Sequence, residues 1–359
     1  MTKKNKKSWK RVVLVILFIL FNIAVIAATA IAEFGNSKNA TEISEVRLNW
    51  WFLIPAVFCF LIAVIIDIRK YVLMMREMMP KEKVYDGRKL RKIARRTVLL
   101  GKYYDNITPA AVGGQPFQIF YMRRNSGLSA GTSTSIPIFG MISIQIAFII
   151  IAVFCFLFGG VFSTNATLGV TALIGLLFYA FWPIMVAGVS FFPKPTTRFL
   201  KFIVKILAKI KLIKNRQKVL DKVETEADEY AQAVKTILKT RGLFIKTIAI
   251  SLVYNILIAS IPFFVLTAFG GNVNFIECFV LTIAVMSAVY FIPTPGNSGA
   301  AEGTFFLVFS ALSSGYVFWA MLVWRFFSYY IYIIMGPMIY FFMHLEKRRL
   351  GEKEKDAKD

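Results

Sequence analysis

Residues 133–158 read STSIPIFGMISIQIAFIIIAVFCFLF, and none of these side chains is charged. A helix needs about 20 apolar residues to cross the hydrocarbon core of a bilayer, so this stretch predicts a transmembrane helix. Similar apolar runs lie at 12–32, 50–66, 166–192, 246–269, 275–292 and 315–343. The pattern predicts an all-α integral membrane protein with about eight transmembrane helices. The first run is too long for a typical signal peptide, which favours an uncleaved first helix.

The composition excludes a water-soluble protein. Apolar residues make up 57% of the 359 residues and charged residues only 18%, whereas soluble domains contain about 25% charged residues. The net charge of +23 would suit nucleic-acid binding in a soluble chain. Here the basic residues lie in blocks between apolar runs, which is typical of the positive-inside rule. We therefore expect no nucleic-acid partner.

The basic blocks predict the orientation of the chain. Forty of the 43 Lys and Arg residues lie in 1–11, 67–132, 193–246 and 344–359, which places these segments on the cytoplasmic side. Segment 33–49 contains 2 basic and 3 acidic residues and is expected outside the cell. The sequence thus predicts a multi-pass protein of the cell membrane with a cytoplasmic N-terminus.

The chain divides into two membrane halves with charged segments around them. A basic N-terminus, a first half, a linker, a second half and a charged tail occupy 1–11, 12–192, 193–246, 247–343 and 344–359. In the linker, Lys201, Lys205 and Lys209 recur beside an apolar stripe. This pattern is typical of a helix that lies on an anionic leaflet. Membrane helices that continue into the linker and pack on each other are the alternative interpretation.

Residue types needed for enzymatic, metal or redox chemistry are scarce. His344 is the only histidine, and Cys59, Cys155 and Cys278 all lie inside apolar runs. The sequence contains no P-loop, zinc-binding or nucleophile-elbow motif. It therefore predicts no catalytic residue, no metal and no cofactor, and we do not expect ATP-driven transport by this chain.

Two apolar segments, 97–122 and 293–312, are interrupted by proline and glycine. They share a Thr-Pro-x-x-x-Gly repeat at 108–113 and 294–299, with 186 residues between equivalent positions. The first segment is expected to enter the membrane and return on the same side, because a full crossing would turn the basic linker outward. The second either completes a crossing, or 305–343 forms two closely spaced helices.

Such interruptions leave backbone groups unpaired at membrane depth, which is tolerated only where they are buried in protein or line a wet cavity. Paired interruptions in the two halves of a transporter indicate its binding site, and freed N–H groups attract anions such as a phosphate headgroup. Two kinked helices that only pack together are the alternative. The residues predicted to bind or move lipid are Asp105, Asn106, Pro109, Gly113, Gly114, Gln115, Gln118, Pro295, Gly296, Asn297, Ser298, Gly299, Glu302 and Arg325.

Glu302 and Arg325 lie within apolar surroundings. A lone charge there costs at least about 2.5–3.5 kcal/mol, so the two side chains are expected to pair or to face a hydrated path. One interpretation is a buried pair that sets helix register, and the other is a headgroup contact or a proton-coupling site. Ser298 has no general base near it in sequence, so we interpret it as a packing residue rather than a nucleophile.

Around these residues the sequence resembles the flippase-like transmembrane family that also forms the membrane half of lysylphosphatidylglycerol synthases. The resemblance covers 12–342 and rests on Asn106-x-x-Pro109-(x)3-Gly113-Gly114-Gln115-Pro116 and Pro293-x-Pro295-Gly296-(x)2-Gly299-(x)2-Glu302. Many members carry an acid after the glycine of the first motif and an arginine shortly beyond, where this chain has Gln115 and Gln118.

The resemblance implies movement of a phospholipid between leaflets, either lysylphosphatidylglycerol or another phosphate-bearing lipid. In two-domain members a separate soluble domain transfers lysine from charged tRNA to phosphatidylglycerol, and this 359-residue chain is expected to lack that activity. One alternative is a lysyltransferase-related membrane protein in aminoacyl-lipid synthesis and resistance to cationic peptide antibiotics. Another is a non-transporting scaffold. A homodimer and a separate synthase partner both remain open.

Overall fold

The protein is described by a computed structural model. It covers residues 48–78, 86–111, 113–164, 166–191, 240–290, 292–310 and 317–356, with isolated positions at 23, 27, 31, 195, 198, 201, 202, 204, 217, 220 and 221. The predicted span at 12–32, most of the linker with Lys205 and Lys209, and the end of the tail lie outside the described residues. Every regular element in the described ranges is helical.

The helices of the described ranges are numbered in chain order. They are α1 Leu53–Glu77, α2 Gly87–Ile107, α3 Gly114–Asn125, α4 Ala130–Phe158, α5 Ala166–Phe191, α6 Arg241–Ala268, α7 Phe275–Val289, α8 Ala300–Phe309, α9 Val317–Arg325 and α10 Ile331–Asp356. Shorter elements are 3-10 turns at Trp50–Phe52, Pro109–Ala111 and Pro295–Asn297, an α-helical turn at Val161–Thr164 and a π-helical turn at Phe326–Tyr330.

Several of these helices suit a membrane by length and composition. Within the described ranges, the four that are long and apolar enough to cross it are Trp50–Glu77, Gly131–Phe158, Gly242–Ala268 and Val317–Glu346. Two shorter apolar helices lie at Ala166–Phe181 and Phe275–Val289. The all-α membrane fold predicted from hydropathy is therefore confirmed, while the total of eight crossings stays a prediction.

Helix α1 extends beyond its predicted end. The sequence predicts a span at 50–66 followed by a cytoplasmic loop, whereas α1 continues to Glu77 and buries both Asp67 and Lys70. Asp67 Oδ1 lies 2.9 Å from Lys70 Nζ. Because opposite charges three residues apart neutralise each other on one helix face, the helix stays buried past them. This placement corrects their assignment to the loop.

Helix α6 lies inside the bundle, where α1, α4, α7 and α9 pack against it. Buried side chains of the main apolar cluster, such as Ile261 and Leu266, fill this contact region. On the other side of α7 lies α5, where an added Cβ at Gly175 would come within 2.0 Å of Ser287 O. The bundle therefore depends on close helix contacts at small residues, as is common in membrane proteins.

The last predicted helix, 315–343, is described from Val317 and contains a π-helical turn. Helix α9 ends at Arg325, the π-helical turn Phe326–Tyr330 follows, and α10 continues into the predicted tail as far as Asp356. Short π-helical segments are rare and frequently lie at functional sites. The irregular backbone here begins directly after Arg325, one of the two charges that the sequence places inside the apolar mass.

Candidate functional site

The two copies of the Thr-Pro-x-x-x-Gly repeat contain the same elements in the same order, but their glycines differ in backbone conformation, with φ of −80° at Gly113 and 87° at Gly299. In each copy the threonine is extended, with φ of −112° at Thr108 and −94° at Thr294. The proline then begins a 3-10 turn whose third residue has a positive φ, 51° at Ala111 and 55° at Asn297. The glycine caps a new helix, α3 in the first copy and α8 in the second. The sequence repeat is therefore matched by the same order of backbone elements.

Side-chain hydrogen bonds stabilise the first interruption. Thr108 Oγ1 donates to Tyr104 O at 2.7 Å and accepts from Gly113 N at 2.9 Å. Asp105 Oδ1 accepts a hydrogen bond from Gly114 N at 2.9 Å. Because the first N–H groups of a helix have no partner within it, this carboxylate satisfies one of them at the start of α3.

The second interruption is stabilised in a similar way. Gly299 has a φ of 87°, a conformation that favours glycine, and its N–H donates to Glu302 Oε2 at 2.7 Å. Thr294 Oγ1 donates to Ser298 O at 2.9 Å, which closes the turn. A carboxylate therefore lies at the start of both α3 and α8, where the helix dipole stabilises negative charge.

Glu302 and Arg325 form the pair that their isolation in the sequence predicts. Arg325 Nε donates to Glu302 Oε1 at 2.7 Å, and the two side chains are only 4% and 1% exposed. Arg325 Nη2 also donates to Ser298 Oγ at 3.0 Å and to Gly296 O at 3.2 Å. Because a buried ion pair needs further hydrogen bonds to offset its desolvation, these contacts explain how the charges are tolerated.

The ring of Tyr329 packs against the same group. The guanidinium carbon of Arg325 lies 4.4 Å from the ring centroid, which is a cation–π contact. Gly296 has a φ of 57°, and an added Cβ would come within 2.1 Å of Tyr329 Cε2. Both the backbone conformation and the available space therefore require glycine at this position.

The two 3-10 turns, Pro109–Ala111 and Pro295–Asn297, lie in contact with each other, and α2 contacts both. The fold thus brings together two motifs whose equivalent residues are 186 positions apart. This is the arrangement expected for paired interrupted segments from the two halves of a transporter.

The other predicted site residues differ in burial. Gln118 is buried and accepts a hydrogen bond from Tyr71 OH at 3.1 Å. Pro109 is exposed. The partly buried positions are Asn106, Gln115, Pro295 and Asn297. The buried part of the site is thus made mainly by Gln118, Ser298 and the Glu302–Arg325 pair.

Sequence reasoning missed a second buried charge cluster. Lys70 Nζ is paired with Asp67 Oδ1 by charge rather than by an aligned hydrogen bond, and it donates to Gly140 O at 3.2 Å and Ser251 Oγ at 3.3 Å. The cluster links α1, α4 and α6. The signal that could have found it is the run of apolar residues that follows Lys70 and continues the helix.

Lys102 is a partly buried charge that sequence reasoning did not assign. Its Nζ lies 5.5 Å from the ring centroid of Tyr254, and Tyr290 and Tyr332 are among its neighbours. It forms no ion pair or hydrogen bond within the described part of the chain. A single lysine between an apolar stretch and the first repeat is the signal that could have indicated it.

Side chains that could bind a metal are dispersed in the described part of the chain. Across the described ranges, no three or more His, Cys, Asp or Glu side chains are grouped in a way that could hold a metal ion. Cys59 is partly buried, whereas Cys155 and Cys278 are buried, and His344 is exposed on α10. The polar groups that a ligand could meet near the repeat are the carboxylates, amides and cations described above.

Comparison with known proteins identifies the family of the chain. A family model described as the lysylphosphatidylglycerol synthase TM region matches residues 11–336, a range that includes both copies of the repeat, Lys102 and the Glu302–Arg325 pair. The chain matches none of the curated proteins with which it was compared. Because the family match extends over most of its length, the protein belongs to the family of the lysylphosphatidylglycerol synthase transmembrane region.

Proposed function

We propose that the protein moves a phospholipid between the two leaflets of the membrane. The observation that carries this proposal is the contact between two proline- and glycine-containing turns from opposite halves of the chain. Irregular backbone at membrane depth is tolerated where it is buried in protein or lines a water-filled cavity, and paired segments of this kind form the substrate sites of transporters. The polar headgroup would pass this region while the acyl chains stay in the bilayer.

The interior charges support a path for a polar headgroup. Each such charge costs about 2.5–3.5 kcal/mol or more in a bilayer unless it is paired or hydrated. The protein nevertheless keeps the Glu302–Arg325 and Asp67–Lys70 pairs buried. Because a buried ion pair adds little net stability, a bundle that serves only as a scaffold gains little from them.

The family description favours lysylphosphatidylglycerol, or another lipid with a phosphate, as the substrate. We place the protein in the cell membrane with its N-terminus in the cytoplasm, since forty of its 43 basic residues lie in segments assigned to that side. Contact of Lys201, Lys205 and Lys209 with the anionic leaflet is part of the same proposal.

A role beside a lysyltransferase is the second candidate function. The observation that favours it is the family description, which refers to a synthase. In that role the membrane region would hold phosphatidylglycerol near the enzyme. Incubation of the pure protein with charged tRNA and phosphatidylglycerol tests for lysyl transfer by this chain itself.

Movement of a fluorescent phospholipid in vesicles tests the main proposal. The full chain is reconstituted into vesicles of phosphatidylcholine and phosphatidylglycerol that contain phosphatidylglycerol with a fluorescent acyl chain. A membrane-impermeant reductant added outside destroys only the outer-leaflet fluorescence unless lipid crosses during the measurement. We expect the protein to expose the inner-leaflet lipid as well, in proportion to the number of protein molecules per vesicle.

Two glycine variants provide a matched comparison in that assay. An added Cβ at Gly113 would come within 2.6 Å of the Thr108 side chain, whereas nothing lies within 4 Å of one at Gly303. We expect Gly113→Leu to slow lipid movement and Gly303→Ala to leave it unchanged. Absence of movement in wild-type vesicles, with both phosphatidylglycerol and its lysylated form, would contradict the proposal. A well-folded Gly113→Leu variant with full activity would argue against the role of the repeat.

A further inference from the structure

We propose that Lys102 binds the phosphate group of the lipid headgroup as it passes through the interior of the protein. This inference rests on the proposed function and names the residue that receives the charged part of the substrate. It goes beyond the residues of the repeat, because Lys102 lies on α2 before the first interruption.

The charged surroundings of the Lys102 ammonium group, as far as the structure describes them, are the first argument. Arg325 has the carboxylate of Glu302 at 2.7 Å, and Lys70 has that of Asp67 at 2.9 Å. Lys102 has no such acceptor within the described part of the chain. Asp67 and Asp105 act on it only through longer-range electrostatics. A partly buried cation without a carboxylate partner among the described residues is the group that an incoming anion would neutralise.

The position of Lys102 is the second argument. Its ammonium group faces the ring of Tyr254 at 5.5 Å, and Tyr254 is the fourteenth of the 28 residues of α6. Since α6 is long enough to cross the bilayer, Lys102 lies beside the middle of a helix that could span the membrane. A lone charge is unfavourable there, so a bound or passing phosphate would lower the free energy of the site.

The surroundings of Lys102 are the third argument. Tyr254, Tyr290 and Tyr332 come from three further helices or their ends, and Tyr179 stacks on Tyr290 at 4.0 Å between ring centroids. Tyrosine hydroxyls donate hydrogen bonds, so they can support an oxygen-rich anion beside an ammonium group. The rings also present apolar surface to the glycerol part of a lipid.

One oxygen of the nearby Asp105 carboxylate is engaged by a backbone N–H rather than by Lys102. Asp105 lies one helical turn further along α2, but its Oδ1 accepts from Gly114 N at 2.9 Å. It therefore caps α3 and has no ion pair with Lys102 within the described residues. The ammonium group, with three donors, remains available for a phosphate oxygen.

Binding of short-chain lipids to the purified full chain tests the inference. The probes are dihexanoyl-phosphatidylglycerol, dihexanoylglycerol without a phosphate, and inorganic phosphate, each titrated in detergent. We expect Lys102→Gln to weaken binding of dihexanoyl-phosphatidylglycerol about tenfold, because a hydrogen bond to a charged group is lost. Binding of dihexanoylglycerol should not change, and Lys102→Arg should retain most of the affinity.

Lys89→Gln is the matched control, since Lys89 is an exposed lysine on the same helix, and its affinity should equal that of the wild type. Thermal unfolding without added lipid separates binding from folding. Because Lys102 has no ion pair among the residues that the structure describes, its removal should not lower the unfolding temperature of Lys102→Gln below that of Lys89→Gln. A lower temperature would assign Lys102 a structural role and overturn the inference.

The remaining outcomes are also decisive. Equal binding of dihexanoyl-phosphatidylglycerol by Lys102→Gln and the wild type would overturn the inference, even if the vesicle assay shows lipid movement. If the wild type bound inorganic phosphate as tightly as dihexanoyl-phosphatidylglycerol, the assignment of the site to a lipid would be overturned. If lipid binding depends on Lys102 but the wild-type protein moves no lipid in the vesicle assay, this inference is supported and only the proposed function is contradicted.

Discussion

At the scale of single residues, the cation of each buried ion pair is stabilised by hydrogen bonds in addition to its contact with the carboxylate. Arg325 donates to a glycine carbonyl and a serine hydroxyl in addition to Glu302. Lys70 does the same beside Asp67, with different glycine and serine partners. Because these bonds replace lost hydration, removal of one charge should leave the other without sufficient compensation.

A double-mutant cycle measures this dependence. We expect Glu302→Gln and Arg325→Met each to lower the free energy of unfolding by about 3–5 kcal/mol, since each leaves an uncompensated buried charge. The double variant should lose much less than the sum. Glu346 and Arg96, 2.7 Å apart and partly exposed, form the control pair, whose coupling should be about 0–1 kcal/mol. Equal coupling in the two cycles would contradict this account.

The Glu302–Arg325 pair can be predicted from the sequence, whereas the Asp67–Lys70 pair cannot. Glu302 and Arg325 stand alone in apolar runs, so only each other or water can compensate them. Asp67 and Lys70 lie where an apolar run meets a basic block, and hydropathy alone assigns such residues to a loop. Lys102 also cannot be singled out from the sequence. It precedes the first repeat within a helix that contains many other basic residues.

At the scale of elements, the interruptions follow from proline and glycine, but their geometry does not. The repeat predicts two breaks at equivalent positions, and both are observed as a 3-10 turn followed by a new helix. The positive φ of Ala111 has no sequence signal, because alanine rarely adopts it. The extension of α1 and α10 beyond the apolar runs is also a tertiary effect, since packing and ion pairs allow charged residues to continue a helix.

Helix contact at a small residue gives a prediction at this scale. An added Cβ at Gly175 would come within 2.0 Å of the backbone oxygen of Ser287, so Gly175→Ala must move α5 away from α7. We expect a loss of about 1–3 kcal/mol in the free energy of unfolding. In Gly303→Ala, where the space is open, we expect a gain of about 0.5–1 kcal/mol. Similar effects of both variants on thermal unfolding would contradict the close contact.

At the scale of the whole molecule, hydropathy predicts the fold class because long uncharged runs are compatible with little other than membrane helices. The contact between the two turns depends on how the halves pack, which a single sequence does not reveal. The same holds for the contact between α10 and α2, where Glu346 accepts hydrogen bonds from Lys92 and Arg96. These hydrogen bonds connect α2, the helix before the first interruption, to α10.

The central claim is that the paired turns and the charges beside them line the path of a phospholipid headgroup. Photolabelling tests it most directly. Phosphatidylglycerol with a photoreactive group at its headgroup is added to vesicles that contain the full chain, and the labelled peptides are mapped by mass spectrometry. We expect labelling of 102–118 and 292–302 that excess unlabelled phosphatidylglycerol suppresses. Labelling confined to outward-facing positions such as Phe154 and Leu157, which are 64% and 71% exposed, would contradict the claim.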